Sequence, residues 1–132
     1  QRHCENGEKI ARFLKTQDSV ENVYWPGFED HPNHEIAKQQ MRGFGGMVSF
    51  SMKGNRLEDA VKLVTSTRLF TLAEALGGVE SLIGHPASMT HAAIPKEDRE
   101  KTGVVDSLIR LSVGIEDADD LIEDLERAFA QL

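Results

Sequence analysis

The chain has 132 residues, with 22 acids against 15 lysines and arginines and a formal charge of -7. That length fits one domain of ordinary size, and 39% hydrophobic with 28% charged residues is the balance of a globular chain, not a disordered one. The acidity argues against a nucleic-acid binder, no apolar run reaches the ~20 residues of a membrane span, and the single Cys4 excludes an internal disulfide and fits a reducing, cytoplasmic compartment.

Ile10, Phe13 and Leu14 fall at helical spacing, with Glu8, Lys9, Arg12 and Lys15 opposite. Gln1 and Arg2 supply neither cap nor leader, so the start reads as cut within a helix. Val20 to Trp25 reads as a short strand stopped by Pro26-Gly27, and His34 to Met41 as a short helix resting on Ile36 and Ala37. Gly43-Phe44-Gly45-Gly46 leads into a strand, Met47 to Met52, with Ser49 and Ser51 turned to the other side. After a Gly54-Asn55 turn, Leu57, Ala60, Val61 and Val64 mark a third helix. Leu69 to Leu72 and Glu80 to Ile83 are short apolar segments about Gly77-Gly78. Pro86 to Lys101 reads as a long exposed loop with one helical turn, and Leu108 to Val113 as the last strand.

From Glu116 onward seven acids stand against one base, Arg127, leaving the preceding residues nearly neutral. Leu121, Ile122, Leu125, Ala128, Phe129 and Leu132 form one stripe of a closing helix, so the acids read as its solvated face. Short strands interleaved with helices predict a two-layer α/β (α+β) domain, a small, mostly antiparallel sheet with helices on one face.

Arg110 stands in the middle of an apolar strand and shares a face with Leu108 and Ser112. The pattern alone allows either an arginine on a solvent-facing strand or a fixed guanidinium whose planar fork binds a carboxylate. His31 and His34 are spaced H-x2-H without further ligands, so no metal site is expected. His85 and His91 flank a loop and read as surface or hydrogen-bonding residues. Gly43 to Gly46 precede a strand, not a helix, and so lack the setting of a phosphate loop. Ser112 has no hydrolase frame around it.

Four phrases together are similar to one family. They are His34-Glu35-Ile36-Ala37 with Gly43-Phe44-Gly45-Gly46-Met47-Val48-Ser49-Phe50; Phe70-Thr71-Leu72-Ala73-Glu74-Ala75-Leu76-Gly77-Gly78-Val79-Glu80-Ser81-Leu82; His85-Pro86-Ala87-Ser88-Met89-Thr90-His91; and Leu108-Ile109-Arg110-Leu111-Ser112-Val113-Gly114-Ile115-Glu116-Asp117. In this order they resemble the small C-terminal domain of the Cys/Met-metabolism pyridoxal-phosphate enzymes, in particular the cystathionine γ-synthase and γ-lyase branch. The resemblance covers nearly the whole chain.

The resemblance implies the C-terminal domain fold of fold-type I enzymes and a separate, large pyridoxal-phosphate-binding domain bearing the Schiff-base lysine. It also implies a homotetrameric complete enzyme, and a domain inactive alone. Arg110 matches the arginine that grips the substrate α-carboxylate. Glu74 matches an acid at the pocket mouth that meets a distal ammonium or biases reaction specificity, and Thr90 a threonine near the carboxylate. Ala75 stands where the family usually has serine, which removes a hydroxyl near that carboxylate. The implied activity is γ-replacement or γ-elimination on homoserine-derived amino acids. The other reading is a free-standing α/β carboxylate-binding or dimerisation module without catalysis.

Overall fold

Alternation along two neighbouring strands sets the architecture. In β2 (Met47–Met52) the side chains of Val48, Phe50 and Met52 are buried on one face, while Met47 and Ser49 turn to the other. In β5 (Ile109–Ser112) Ile109 and Leu111 join the first face, and Arg110 and Ser112 join the second. The strands pair antiparallel, with Ser49 opposite Arg110 and Met47 opposite Ser112. β1 (Val20–Tyr24) flanks β2, and β4 (Leu82–Gly84) flanks β5, both antiparallel. β3 (Thr71–Leu72) closes the far edge, parallel to β4. The result is a five-stranded mixed sheet of order β1-β2-β5-β4-β3, mostly antiparallel. The computed structural model describes all residues, Gln1–Leu132.

The apolar face of the sheet is covered by helices. α1 (Arg2–Lys15) lies over β1 and β2 and against α5 (Ala118–Phe129), and α3 (Leu57–Val64) packs on α5. Ile10, Leu14, Leu63, Leu121 and Leu125 are fully buried there with Phe50, Ile83, Ile109 and Leu111. Each such side chain contributes about 1.5–3 kcal/mol by leaving water. α1 approaches the Gly45-Gly46 segment so closely that a Cβ at Gly7 would collide with the Gly45 carbonyl. α5 starts at Asp117, whose carboxylate accepts the Asp119 and Asp120 N–H groups. α2 (His34–Gln40) and α4 (Lys96–Lys101) are short and lie in the connections β1–β2 and β4–β5.

The expected two-layer arrangement is present, with several residues exchanged. In α2, Ile36 is exposed and His34 is buried beside Ala37, stacked on Phe44 and with Nδ1 2.7 Å from Pro26 O. In α3, Leu57 and Val61 are exposed, and Leu63 takes the core position. At the close of α5, Leu132 is exposed. The Pro86-led segment is not wholly an exposed loop, because His85, Pro86 and Ala87 are buried.

The acidic run is not simply a solvated face. Asp124 is fully buried, and its carboxylate accepts the backbone N–H groups of Arg68, Leu69 and Phe70 at 2.7–3.0 Å. Glu116 is half-buried and accepts both the N–H and the hydroxyl of Ser81, at 2.9 and 2.8 Å. A buried carboxylate is tolerated when its oxygens are hydrogen-bonded, which is the arrangement at Asp124.

Candidate active-site cleft on the open face of the sheet

On the face turned away from the helices, Arg110 rises from the middle of β5 opposite Gly84 of β4. A Cβ at Gly84 would press on the Ala73 carbonyl at 3.3 Å, so the missing side chain lets the chain before Glu74 pass close to β4. The 73–81 segment and the 85–91 turn frame the cleft, which is lined by Glu74, His85, Met89, Thr90 and Arg110 among others. A larger open hollow of about 420 Å³ lies against β1 and holds none of the four expected site residues; its Lys15 and Asp30 pair with each other at 3.5 Å.

Arg110 is half-buried, and its Nη2 donates to the Glu74 carbonyl at 3.1 Å. Arg2, Arg42, Arg68 and Arg110 have no carboxylate within 4.0 Å, and of these four only Arg110 is half-buried, the others being exposed. A guanidinium taken partly out of water without a negative partner is poised for an anion. Its strand position restricts where the fork can point.

Glu74 and Thr90 line the same cleft, whereas Ala75 is exposed and lies outside its lining. The contact from Glu74 is made by its main chain, and no side-chain hydrogen bond or ion pair holds its exposed carboxylate. Thr90 Oγ1 shares a 2.7 Å hydrogen bond with His91 Nδ1 at the surface.

The 85–91 turn is braced from behind. His85 is 1% exposed; its Nε2 donates to Asp106 O at 2.6 Å, and its Nδ1 faces Ser88 Oγ at 2.7 Å. The Asp106 carboxylate in turn takes Arg99 at 2.7 Å and Lys96 at 2.9 Å. The hydrogen bond from Arg99, followed by that from Lys96, holds the Asp106 carboxyl below the ordinary carboxylate range. The same pairing, led by the hydrogen bond to Asp106, raises Lys96.

Sequence reasoning passed over the residues that fix the 73–81 segment. Ser112 Oγ accepts the Gly77 N–H at 2.8 Å, and Ser81 Oγ accepts the Gly114 N–H at 2.8 Å. The signal for Ser112 was its place two residues from Arg110 on the same strand face. The signal for Glu116 was masked by the acidic run around it.

The architecture is a two-layer α/β domain with a half-buried arginine, free of any carboxylate partner, on the open face of its sheet. The family model described as "Cys/Met metabolism PLP-dependent enzyme" matches residues 1–130, and the chain belongs to that family. It is 55% identical over 97% of its length to a cystathionine β-lyase of Coxiella burnetii. It is 54% identical over 97% of its length to a mouse cystathionine γ-lyase, and 48% identical over its whole length to an L-methionine γ-lyase of Fusobacterium nucleatum. The chain spans about a third of the length of these relatives, 33%, 32% and 33%. β-Lyase and γ-lyase names occur at nearly equal identity, so likeness alone does not separate the branches.

The family's cofactor in its complete enzymes is pyridoxal phosphate. The residues present do not fit its covalent attachment: all the lysines of the chain are exposed, and none lines the Arg110 cleft. No helix is long and apolar enough to cross a membrane.

Proposed function

We propose that the complete protein is a pyridoxal-phosphate-dependent enzyme of transsulfuration and that Gln1–Leu132 is its C-terminal, substrate-carboxylate-binding domain. The observation that carries this reading is the Arg110 guanidinium, half-buried, steered on one side by the Glu74 carbonyl and free of any carboxylate partner. Its free edge takes the α-carboxylate of an amino acid in a two-point grip. Such a grip fixes the bond to be broken relative to the reacting group. Glu74 presents its carboxylate at the rim for a distal ammonium, Thr90 adds a hydroxyl, and Ala75, outside the lining, adds no polar side chain.

Pyridoxal phosphate, held by a large domain outside this chain in the manner of fold-type I enzymes, supplies the electron sink. The substrates are homoserine-derived amino acids, and the reaction is γ-elimination or γ-replacement as in cystathionine γ-lyase and γ-synthase. The assembly is a cytoplasmic homotetramer. A β-elimination is the second reading, because a β-lyase, that of Coxiella burnetii, matches as well as the γ-lyases do.

Product analysis with L-cystathionine separates them. γ-Elimination consumes water and yields cysteine, 2-oxobutanoate and ammonia; β-elimination consumes water and yields homocysteine, pyruvate and ammonia. In the full-length protein, Arg110→Ala lowers kcat/KM by about 2–5 kcal/mol of transition-state binding. An unchanged kcat/KM refutes the carboxylate grip. Carboxylate binding without turnover points instead to a non-catalytic binding module.

A further inference from the structure

The 73–81 segment is held to the sheet chiefly through polar atoms. Its large side chains point outward, Leu76 at 57% and Val79 at 62% exposure, so apolar packing does little to anchor it. Five hydrogen bonds take over. Ala73 N–H donates to Ile83 O at 3.0 Å, and Ile115 N–H donates to Val79 O at 2.9 Å. Gly77 N–H donates to Ser112 Oγ, and Ser81 is gripped by Glu116 through both its N–H and its hydroxyl. The approach is close enough that a Cβ on Gly114 would collide with the Val79 carbonyl.

Both side-chain anchors are themselves fixed. Ser112 is 4% exposed in β5. The Glu116 main chain is tied to α1 by Asn6, 1% exposed, whose Nδ2 donates to Gly114 O at 3.0 Å and Glu116 O at 2.7 Å. The other end of the same segment carries the Glu74 carbonyl that takes Arg110 Nη2.

We propose that Ser112 and Glu116 are positioning residues for Arg110. By clasping the backbone at Gly77 and Ser81 they hold the Glu74 carbonyl where it turns the guanidinium's free edge toward the cleft. The inference rests on the carboxylate-binding reading of Arg110 and adds the two side chains that set its direction. Neither touches the substrate. Losing the Ser112 hydroxyl leaves the Gly77 N–H unpartnered and frees a segment that packing does not hold. Arg110 then samples more orientations, and the cost falls on substrate binding.

The test uses the full-length holoenzyme with L-cystathionine as the probe. In Ser112→Ala, amide hydrogen exchange across residues 74–81 quickens while that of β2 and α5 is unchanged. KM rises roughly five-fold with kcat within about two-fold, the worth of one hydrogen bond. Glu116→Gln, which keeps size but gives up one of the two acceptors, moves both readouts the same way by less. Added to Arg110→Ala, Ser112→Ala has no further effect on KM, because it acts through the arginine. Unchanged exchange at 74–81, or a KM penalty of equal size with and without Arg110, overturns the proposal. Faster exchange with a KM that Arg110→Ala does not alter overturns the carboxylate reading instead and leaves the clasp standing.

Discussion

The two faces of the sheet are built from the same strands by different physics. On the helix face, Ile109 and Leu111 of β5 meet Val48 and Phe50 of β2 in a core from which water is excluded, and no polar side chain is needed. One residue along the chain the rule reverses. Arg110 and Ser112 are held by hydrogen bonds to main-chain atoms of one irregular segment, and that segment buries few of its own side chains. The first face stores stability in non-directional contacts, and the second fixes direction at little gain in stability. Substitutions on the two faces therefore fail in different ways.

The widest separation comes from neighbours on β2 and β5. Phe50 is fully buried, with its ring 6.0 Å from that of Phe129. Phe50→Ala costs about 3–5 kcal/mol of stability, seen as a large fall in the thermal unfolding midpoint. Arg110→Ala, on the opposite face, leaves that midpoint nearly unchanged while removing substrate affinity. Equal losses of stability in the two variants would erase the distinction between the faces.

Asp124 tests whether the helix side is purely apolar. Its carboxylate gathers three N–H groups where the chain enters β3, so it is a polar tie inside the packed layer. Asp124→Asn retains one acceptor oxygen and turns an amide donor toward N–H groups that need an acceptor. A loss of about 2–3 kcal/mol follows, read by urea unfolding, with KM for the amino acid little altered. A KM effect exceeding the stability effect would move Asp124 functionally to the other face.

Asp124 and Glu116 also mark where the sequence stops being legible. The helix that bears Asp124 is evident from the spacing of Leu121, Leu125 and Ala128, and the strand that bears Arg110 from its apolar neighbours. Spacing sets Asp124 beside Leu121 and Ala128, apart from the exposed Glu123 and Glu126, but does not say what its carboxylate meets. Its partners lie more than fifty residues away in the chain, and only the packing of α5 against the Arg68–Phe70 segment brings them together. The same holds for Glu116 and Ser81, thirty-five residues apart. Arg110 was conspicuous because a charge interrupts an apolar strand; Ser112 was not, because a serine on a strand is ordinary. Periodicity reports which face a residue occupies and is silent about which distant backbone atom it meets.

A smaller effect is expected behind the cleft, where Asp106 ties Arg99 and Lys96 to the segment that holds His85. Because the folded protein holds this carboxyl below its ordinary value, its contribution to stability is present above the ordinary carboxylate pKa of about 3.9 and is lost as pH falls through the lower, folded value. Asp106→Asn removes roughly 1–2 kcal/mol at neutral pH and flattens the acid limb of a stability–pH curve. An acid limb identical to that of the parent would show that the Arg99 pair carries no such weight.

Glu74 offers the smallest and most selective effect, because its two ends do different work. Its carbonyl accepts a hydrogen bond from Arg110 Nη2, a main-chain contact that does not depend on the side chain. Its carboxylate is exposed at the rim, where a charge interaction is worth about 0.2–1 kcal/mol. Glu74→Ala therefore leaves recognition of the α-carboxylate intact and weakens only a substrate that brings a positive charge to the far end. L-Cystathionine carries a distal ammonium and L-methionine does not. KM for cystathionine should rise by up to about five-fold with that for methionine unchanged, and raised ionic strength should shrink the difference between variant and parent. Equal changes for both substrates would mean that the substitution disturbed the main chain at residue 74 and, with it, the direction of Arg110.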